Sequence, residues 1–322
     1  MTAAPRQRPH SHSHMWVVGL IGLVAGLALL IYVPTLPAIS ATVVLFAGFH
    51  LAGAVVSIAS LYVLTNGKIL LRHRKKQEAR FNFGWVPAWT HGPWIAALIC
   101  AATAVAAQTV APSWWPLAMG FLLLSATFFA GGLVTNATGR YDNAFLPMVD
   151  LLPQREGRIL DGGCGAGRTT VALGRAYGGV RIVALDRFDS DYIEGGGQQL
   201  LERNLRLANL TSQVDIERGD LTALPFPDAT FDAAVCAHAI DHLGAQALDG
   251  LREMHRVLKP GGRFLLIVWV PGWTMFAVAN VLSFLLASRR SWRRMATDEG
   301  FTITDEGRFN GNWFAVLQKP VA

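Results

Sequence analysis

The stretch Arg158-Ile159-Leu160-Asp161-Gly162-Gly163-Cys164-Gly165-Ala166-Gly167-Arg168-Thr169-Thr170 decides the fold. A short apolar run ends in an acid, glycines recur at every second position from Gly163 to Gly167, and a helical pattern begins at Thr169. Strand, tight turn and helix N-terminus in that order are how an α/β sheet receives a nucleotide-like ligand. Glycine suits the turn because positive φ is open to it, and because a Cβ would hold the backbone away from the ligand. The spacing argues against a dinucleotide. A Gly-x-Gly-x-x-Gly fingerprint would need glycine at position 168 or 170, where Arg168 and Thr170 stand.

Downstream of the loop, Val180–Leu185 is a second buried strand ending at Asp186, and Leu200–Asn209 is helical. Val214–Glu217 is a third strand, Phe231–Ala237 a fourth, Leu248–Leu258 a helix and Phe264–Val270 a fifth strand. This alternation implies a parallel sheet with helices on both faces. Thr302–Phe309 and Trp313–Lys319, flanking Asn310-Gly311-Asn312, read as a closing hairpin. Upstream, Tyr141–Leu152 reads as a helix stopped by Pro153.

Asp161-x-Gly163-x-Gly165-x-Gly167 resembles the first motif of the class I S-adenosylmethionine-dependent methyltransferases. Gly219-Asp220, Leu224-Pro225-Phe226-Pro227-Asp228 with Phe231-Asp232, and Leu258-Lys259-Pro260-Gly261-Gly262-Arg263 look like the later motifs. The pattern is similar to the branch that includes ubiquinone/menaquinone C-methyltransferases, and it runs from about Tyr141 to Lys319. The resemblance implies a Rossmann-like, seven-stranded α/β fold, S-adenosyl-L-methionine as cofactor and methyl transfer as the reaction. Carried onto this chain, it implies that Asp161, Gly163 and Gly165 line the methionine part, with Cys164 and Gly167 in the same loop. Asp186 would bind ribose, Asp220 adenine beside Leu221, and His238 would sit near the methyl group. The segment from Asp186 to Gly197 departs from the family pattern by being longer and more acidic.

The sulfonium is already a strong electrophile, so alignment does most of the work, and a base is needed only when the acceptor must lose a proton early. His238, Asp241 and His242, after the fourth strand, are the candidates for base or orienting group. No metal site is expected. Cys100, Cys164 and Cys236 have no metal-ligand spacing and suggest no disulfide framework.

The first part of the chain is of another kind. Residues 1–14 are a polar tail with alternating His10, His12 and His14, better read as disordered than as a weak metal site. Residues 15–136 hold four apolar runs, Trp16–Val33, about Ala38–Thr65, Pro93–Val110 and Trp114–Val134. At ~1.5 Å per residue even the shortest spans roughly 27 Å, so an all-α, four-helix, multi-pass membrane domain is expected ahead of the catalytic domain at 140–322. Residues 1–139 carry eight Lys and Arg against one acid, Glu78, so the chain's +6 resides there and the rest is near neutral. That weighs against nucleic acid as substrate. The basic stretch Lys68–Arg80 places the loop between the second and third runs in the cytoplasm, and with it the N-terminus and the catalytic domain, in the plasma membrane. His50, inside the second run, is either a functional intramembrane group or a neutral histidine bonded to a neighbouring helix. The segment Trp273–Ala287 is apolar and followed by arginines, so it reads as a helix that lies either in the membrane interface or against the membrane helices. The expected acceptor is lipid-soluble or membrane-associated. A soluble metabolite and a non-catalytic sensor of the cofactor remain open, and the oligomeric state is not legible.

Overall fold

The computed structural model describes residues 36–74, 81–84, 87–137, 144–190, 193–272, 275–276, 280–309 and 312–321. The chain divides into two compact units, residues 1–54 and 55–322, and the division falls inside the long helix α1, Leu36–Arg74. In the first unit the described part of α1 turns Ile39, Val43, Phe46, Phe49 and Leu51 outward. A water-soluble helix would turn polar side chains there. His50 Nδ1 lies 2.8 Å from the Phe46 carbonyl oxygen, a contact within its own helix rather than with a neighbouring one.

The second unit continues with α2, Pro87–Val110, and α3, Trp115–Ala137, joined by a single 3-10 turn at Pro112–Trp114. The two helices run antiparallel. Trp94 meets Phe129 edge-on at 5.1 Å, and the Ser125 hydroxyl donates to the Ala97 carbonyl at 2.8 Å. Gly132 permits this approach, since a Cβ there would stand 3.1 Å from the Trp94 indole. Leu98, Ile99, Val105 and Val110 face outward. Among the described residues three helices are long and apolar enough to cross a membrane, over Ala38–Leu64, His91–Val110 and Pro112–Leu133. They match the last three apolar runs, while Trp16–Val33 lies outside the described residues.

From residue 144 the chain builds one seven-stranded sheet. The strands are β1 Arg158–Gly162, β2 Arg181–Asp186, β3 Val214–Arg218, β4 Phe231–Ala237, β5 Leu258–Val268, β6 Thr302–Phe309 and β7 Asn312–Gln318. Their order is β3-β2-β1-β4-β5-β7-β6, with β7 antiparallel to β5 and to β6 and every other pairing parallel. The helices α4 Arg168–Ala176, α5 Gln198–Ala208, α6 Ala247–Val257 and α7 Arg289–Asp298 cover the two faces. Alternate residues of each strand feed opposite layers. Ile159, Ile182, Ala233 and Leu265 join one core, and Leu160, Val183, Ala234 and Phe264 the other. Strand order reverses at β1, between β2 and β4, so the carboxyl ends of these strands frame the crevice where such sheets bind ligands.

Two expected elements differ. Residues 144–152 form bends rather than a helix. Pro147 brings no N–H and disfavours helical geometry in the residue before it. The freed main chain bonds elsewhere, Leu151 N donating to the Tyr177 hydroxyl at 3.2 Å. Within 273–287, the described residues 280–285 form a 3-10 stretch, not part of a continuous α-helix.

Candidate cofactor and methyl-transfer site

The glycine loop leaves β1 and is held from below by β2. Gly163 N and Cys164 N both donate to the Leu185 carbonyl, at 2.7 and 3.1 Å. Gly163 has φ 74°, and a Cβ on it would stand 2.1 Å from Ala239 Cβ. The protein's own neighbouring loop is therefore enough to require glycine there. At Gly165, φ 51°, a Cβ would stand 2.9 Å from the flexible tip of Ile193 and meet no main chain. Gly167 immediately precedes α4. The Cys164 side chain lies in the core, where burial, and then the charge of Asp161, holds its thiol well above its usual range. The expectation of Cys164 at the cofactor thus narrows to its main chain. Leu221 is also buried, beneath Gly162 and Gly163.

Three carboxylates stand along the edge in different states. Asp161 is 1% exposed, and its Oδ2 accepts from the Thr170 hydroxyl at 2.6 Å. Its Oδ1 is buried without a partner among the described residues. Burial raises its pKa to about 7, assisted by the charge of Asp186 and opposed by the Thr170 bond. Asp186 accepts from Gly165 N at 2.9 Å and from Phe188 N at 2.8 Å, so it pins the loop as well as ending β2. Asp220 accepts from Thr222 N and the Thr222 hydroxyl through one oxygen, and the main-chain bond leads in lowering its pKa. Its other oxygen lies 3.6 Å from Arg187. The long segment after Asp186 folds back until Gly197 lies against the main chain of Gly165 and Ala166.

Across β1, the loop after β4 presents His238, Asp241 and His242. His238 sits at φ 58°, an uncommon conformation for a residue with a Cβ, and its N–H donates to the Ile267 carbonyl at 2.9 Å. Its Nδ1 is 3.6 Å from Asp241 Oδ2, beyond hydrogen-bonding distance. Asp241 Oδ2 accepts from Trp269 N at 3.0 Å, while Asp241 Oδ1 and His238 Nδ1 are buried without hydrogen-bond partners among the described residues. The Trp269 ring lies 5.3 Å from the His238 ring and 5.7 Å from that of His242, which is exposed. Two of the three sequence candidates, His238 and His242, therefore flank one indole, and the third, Asp241, holds the main chain of the same tryptophan.

Sequence reasoning passed over Trp269, Thr170 and Asn204. Asn204 leaves a readable signal, a lone carboxamide on the stripe that buries Leu201 and Leu205 of α5. Thr170 and Trp269 leave none, because only the tertiary fold brings them to Asp161 and Asp241. Among the described residues no group of His, Cys, Asp and Glu could hold a metal ion.

Residues 160–266 match the family described as a methyltransferase domain. A putative methyltransferase of Encephalitozoon cuniculi is 30% identical over 190 residues, 51% of this chain and 80% of that protein. A sterol 24-C-methyltransferase of Eremothecium gossypii is 36% identical over 113 residues, 35% of this chain and 28% of that one. A ubiquinone/menaquinone biosynthesis C-methyltransferase of Rhodopseudomonas palustris is 36% identical over 119 residues, 36% of this chain and 45% of that one. In the last two the chain spans less than half of the relative's length. The sheet order, the glycine loop between β1 and α4 and these matches lead to one assignment: the chain belongs to the S-adenosylmethionine-dependent methyltransferases, and S-adenosylmethionine is its cofactor.

Proposed function

We propose that this chain is a membrane-anchored methyltransferase that acts on a lipid-soluble or membrane-associated small molecule. The observation that carries this reading is the presence, in one chain, of a methyltransferase sheet and three helices long and apolar enough to cross a bilayer. Relatives named for a sterol and for ubiquinone/menaquinone biosynthesis support an apolar acceptor. In this reading Trp16–Val33 is a fourth span, and the N-terminus and catalytic domain lie on the cytoplasmic side of the plasma membrane, as the basic Lys68–Arg80 stretch supports.

The residues at the sheet edge fit the cofactor. A buried carboxylate oxygen without a donor among the described residues, Asp161 Oδ1, suits the ammonium of the methionine moiety, and at Gly165 only the flexible tip of Ile193 stands where a ligand would approach the backbone. Asp186 retains acceptor capacity on both oxygens for ribose hydroxyls, and Asp220 Oδ2 is placed for the adenine amino group beside Leu221. When bound, the cofactor supplies a methyl group on a sulfonium.

The rest of the work falls to the chain. Trp269, His238 and His242 form an aromatic wall that orients an apolar acceptor, and alignment is the larger contribution. Where the acceptor carries a proton, His238 takes it at Nε2, leaving an imidazolium whose Nδ1–H points toward Asp241. Asp241 fixes the Trp269 main chain, and its carboxylate, 3.6 Å from His238 Nδ1, favours the charge on the imidazolium.

The test is incubation of the full chain, in its native membrane, with methyl-labelled S-adenosylmethionine, followed by mass spectrometry of organic and aqueous extracts. Label is expected in the organic extract together with released S-adenosylhomocysteine. Label confined to the aqueous extract would make the acceptor a soluble metabolite, and no S-adenosylhomocysteine would make the domain a sensor.

A further inference from the structure

Residues Phe81–Gly84 belong to the segment between α1 and α2, yet Phe81 and Phe83 are part of the core of the α/β domain. Phe81 and Phe83 are 5% and 7% exposed and stack with ring centroids 5.6 Å apart. The guanidinium of Arg175 lies 4.9 Å over the Phe81 ring and that of Arg168 4.7 Å over the Phe83 ring, both arginines coming from α4. Gly84 N donates to Asn82 Oδ1 at 2.9 Å and closes the turn.

The main chain of this strap is bonded by a fully buried side chain. Asn204 Oδ1 accepts from Asn82 N at 3.2 Å, and Asn204 Nδ2 donates to the Asn82 carbonyl at 2.7 Å. The same Nδ2 donates to the carbonyl of Ala166, inside the glycine loop, at 2.8 Å. Both amide hydrogens and the oxygen of Asn204 are thereby engaged. A buried carboxamide is tolerated when every bond is made and is costly when one is missing. Two of its three bonds come from the strap. Removing the strap would leave a donor and an acceptor bare directly behind the loop that Asp186 pins from the other side.

We propose that Asn204 is a positioning residue for the cofactor loop and that the strap Phe81–Gly84 completes it, so that the chain between the membrane helices is an internal part of the cofactor site. The membrane half then sets how the loop is held as well as where the enzyme resides. This goes beyond anchoring and does not depend on the acceptor being a lipid.

The experiment uses the full chain in nanodiscs. Asn204→Asp keeps the side-chain shape and its acceptor but removes the two donors, whereas Phe83→Ala loosens the strap and leaves Asn204 intact. In the cofactor-free protein, amide exchange at Gly165–Arg168 should accelerate about tenfold in either variant, with the sheet strands unchanged. Calorimetry should show S-adenosylmethionine binding about tenfold weaker, and KM for the cofactor should rise far more than kcat falls. The double variant should be less than additive, because both changes break one network. Exchange and affinity equal to those of the unsubstituted chain, in either folded variant, would overturn the proposal. So would loosening spread evenly over the whole domain, since that is the mark of a scaffold role alone. If Asn204→Asp does not fold, Phe83→Ala decides by the same readouts.

Discussion

The carboxyl ends of β1 and β2 and those of β4 and β5 share one edge of the sheet but are finished differently. On the first side Asp186 accepts two main-chain N–H groups, Asp220 accepts from Thr222 twice, and Asn204 clamps Ala166 from behind. One buried oxygen, Asp161 Oδ1, is left over. On the second side His238 stands at positive φ with Nδ1 lacking a hydrogen bond, and Asp241 keeps one buried oxygen without a partner. A ligand that never varies can be met by a loop fixed in advance, and preorganisation of that kind lowers the cost of binding. The second side holds polar groups without hydrogen-bond partners among the described residues, which suits the proposed acceptor site, whose partner arrives only with the substrate.

The contrast breaks most completely at Gly163. Its positive φ and the 2.1 Å approach to Ala239 mean that Gly163→Val disturbs both sides at once. A loss of about 3 kcal/mol or more in stability is expected, with no measurable cofactor binding by calorimetry. A folded Gly163→Val chain of unchanged melting temperature and affinity would refute the close-packed loop.

His238→Asn separates the two sides. Asparagine accepts positive φ more readily than most residues, so the imidazole goes while the turn stays. Turnover should fall about 100-fold, at the low end of general acid–base contributions, with cofactor affinity within about twofold. Equal losses in kcat and cofactor affinity would place His238 on the cofactor side instead.

Asp161 sharpens the first side through pH. Burial raises its pKa in the folded protein to about 7, so without ligand the folded state holds a proton that the unfolded state has released. Stability of the cofactor-free chain therefore declines as pH rises from about 4 to 7. An arriving ammonium favours the ionised form, so cofactor affinity should strengthen from pH 6 to pH 8. Asp161→Asn should flatten that pH dependence and weaken binding about tenfold at pH 8. An unaltered pH profile in the variant would mean that Oδ1 does not meet the cofactor.

Legibility followed the range of the interactions. β4 has the bounds its apolar run predicts, because a strand buried on both faces writes its ends as changes in composition, whereas the polar edge strand β6 was legible only through the turn residues that follow it. The acids at the ends of β1 and β2 were readable because their distance from the glycines is local. The strap was not, since Phe-Asn-Phe-Gly between a basic run and an apolar one has no period, and its partners lie 122 positions away. The helix expected before Pro153 failed on Pro147, whose restriction of the preceding residue outweighed the apolar spacing. Strain at His238 was equally hidden, because a backbone angle of that kind is set by the packing of the loop over Gly163 and Ala239.

The smallest expected effect concerns how an apolar acceptor reaches the second side. Phe284 and Leu285, in the 3-10 stretch Asn280–Leu285, are 70% and 81% exposed, while Ser283 between Leu282 and Phe284 is 1% exposed. Two large apolar side chains held outward by a turn whose polar residue is buried reverse the usual order of a surface turn, and the arginines from Arg289 onward follow. Such a pair suits the boundary between headgroups and acyl chains. Replacing both by serine would remove only about two side chains' worth of insertion, from a chain that also carries three helices long and apolar enough to cross a membrane. The KM for an acceptor presented in vesicles should rise about threefold, equivalent to under ~1 kcal/mol, with the cofactor's KM and the melting temperature unchanged. The same substitutions should leave turnover of a detergent-dispersed acceptor unaltered, because the bilayer is then absent from the pathway. Equal losses in vesicles and detergent would assign the pair to folding, and no loss in either would leave delivery to the membrane helices alone.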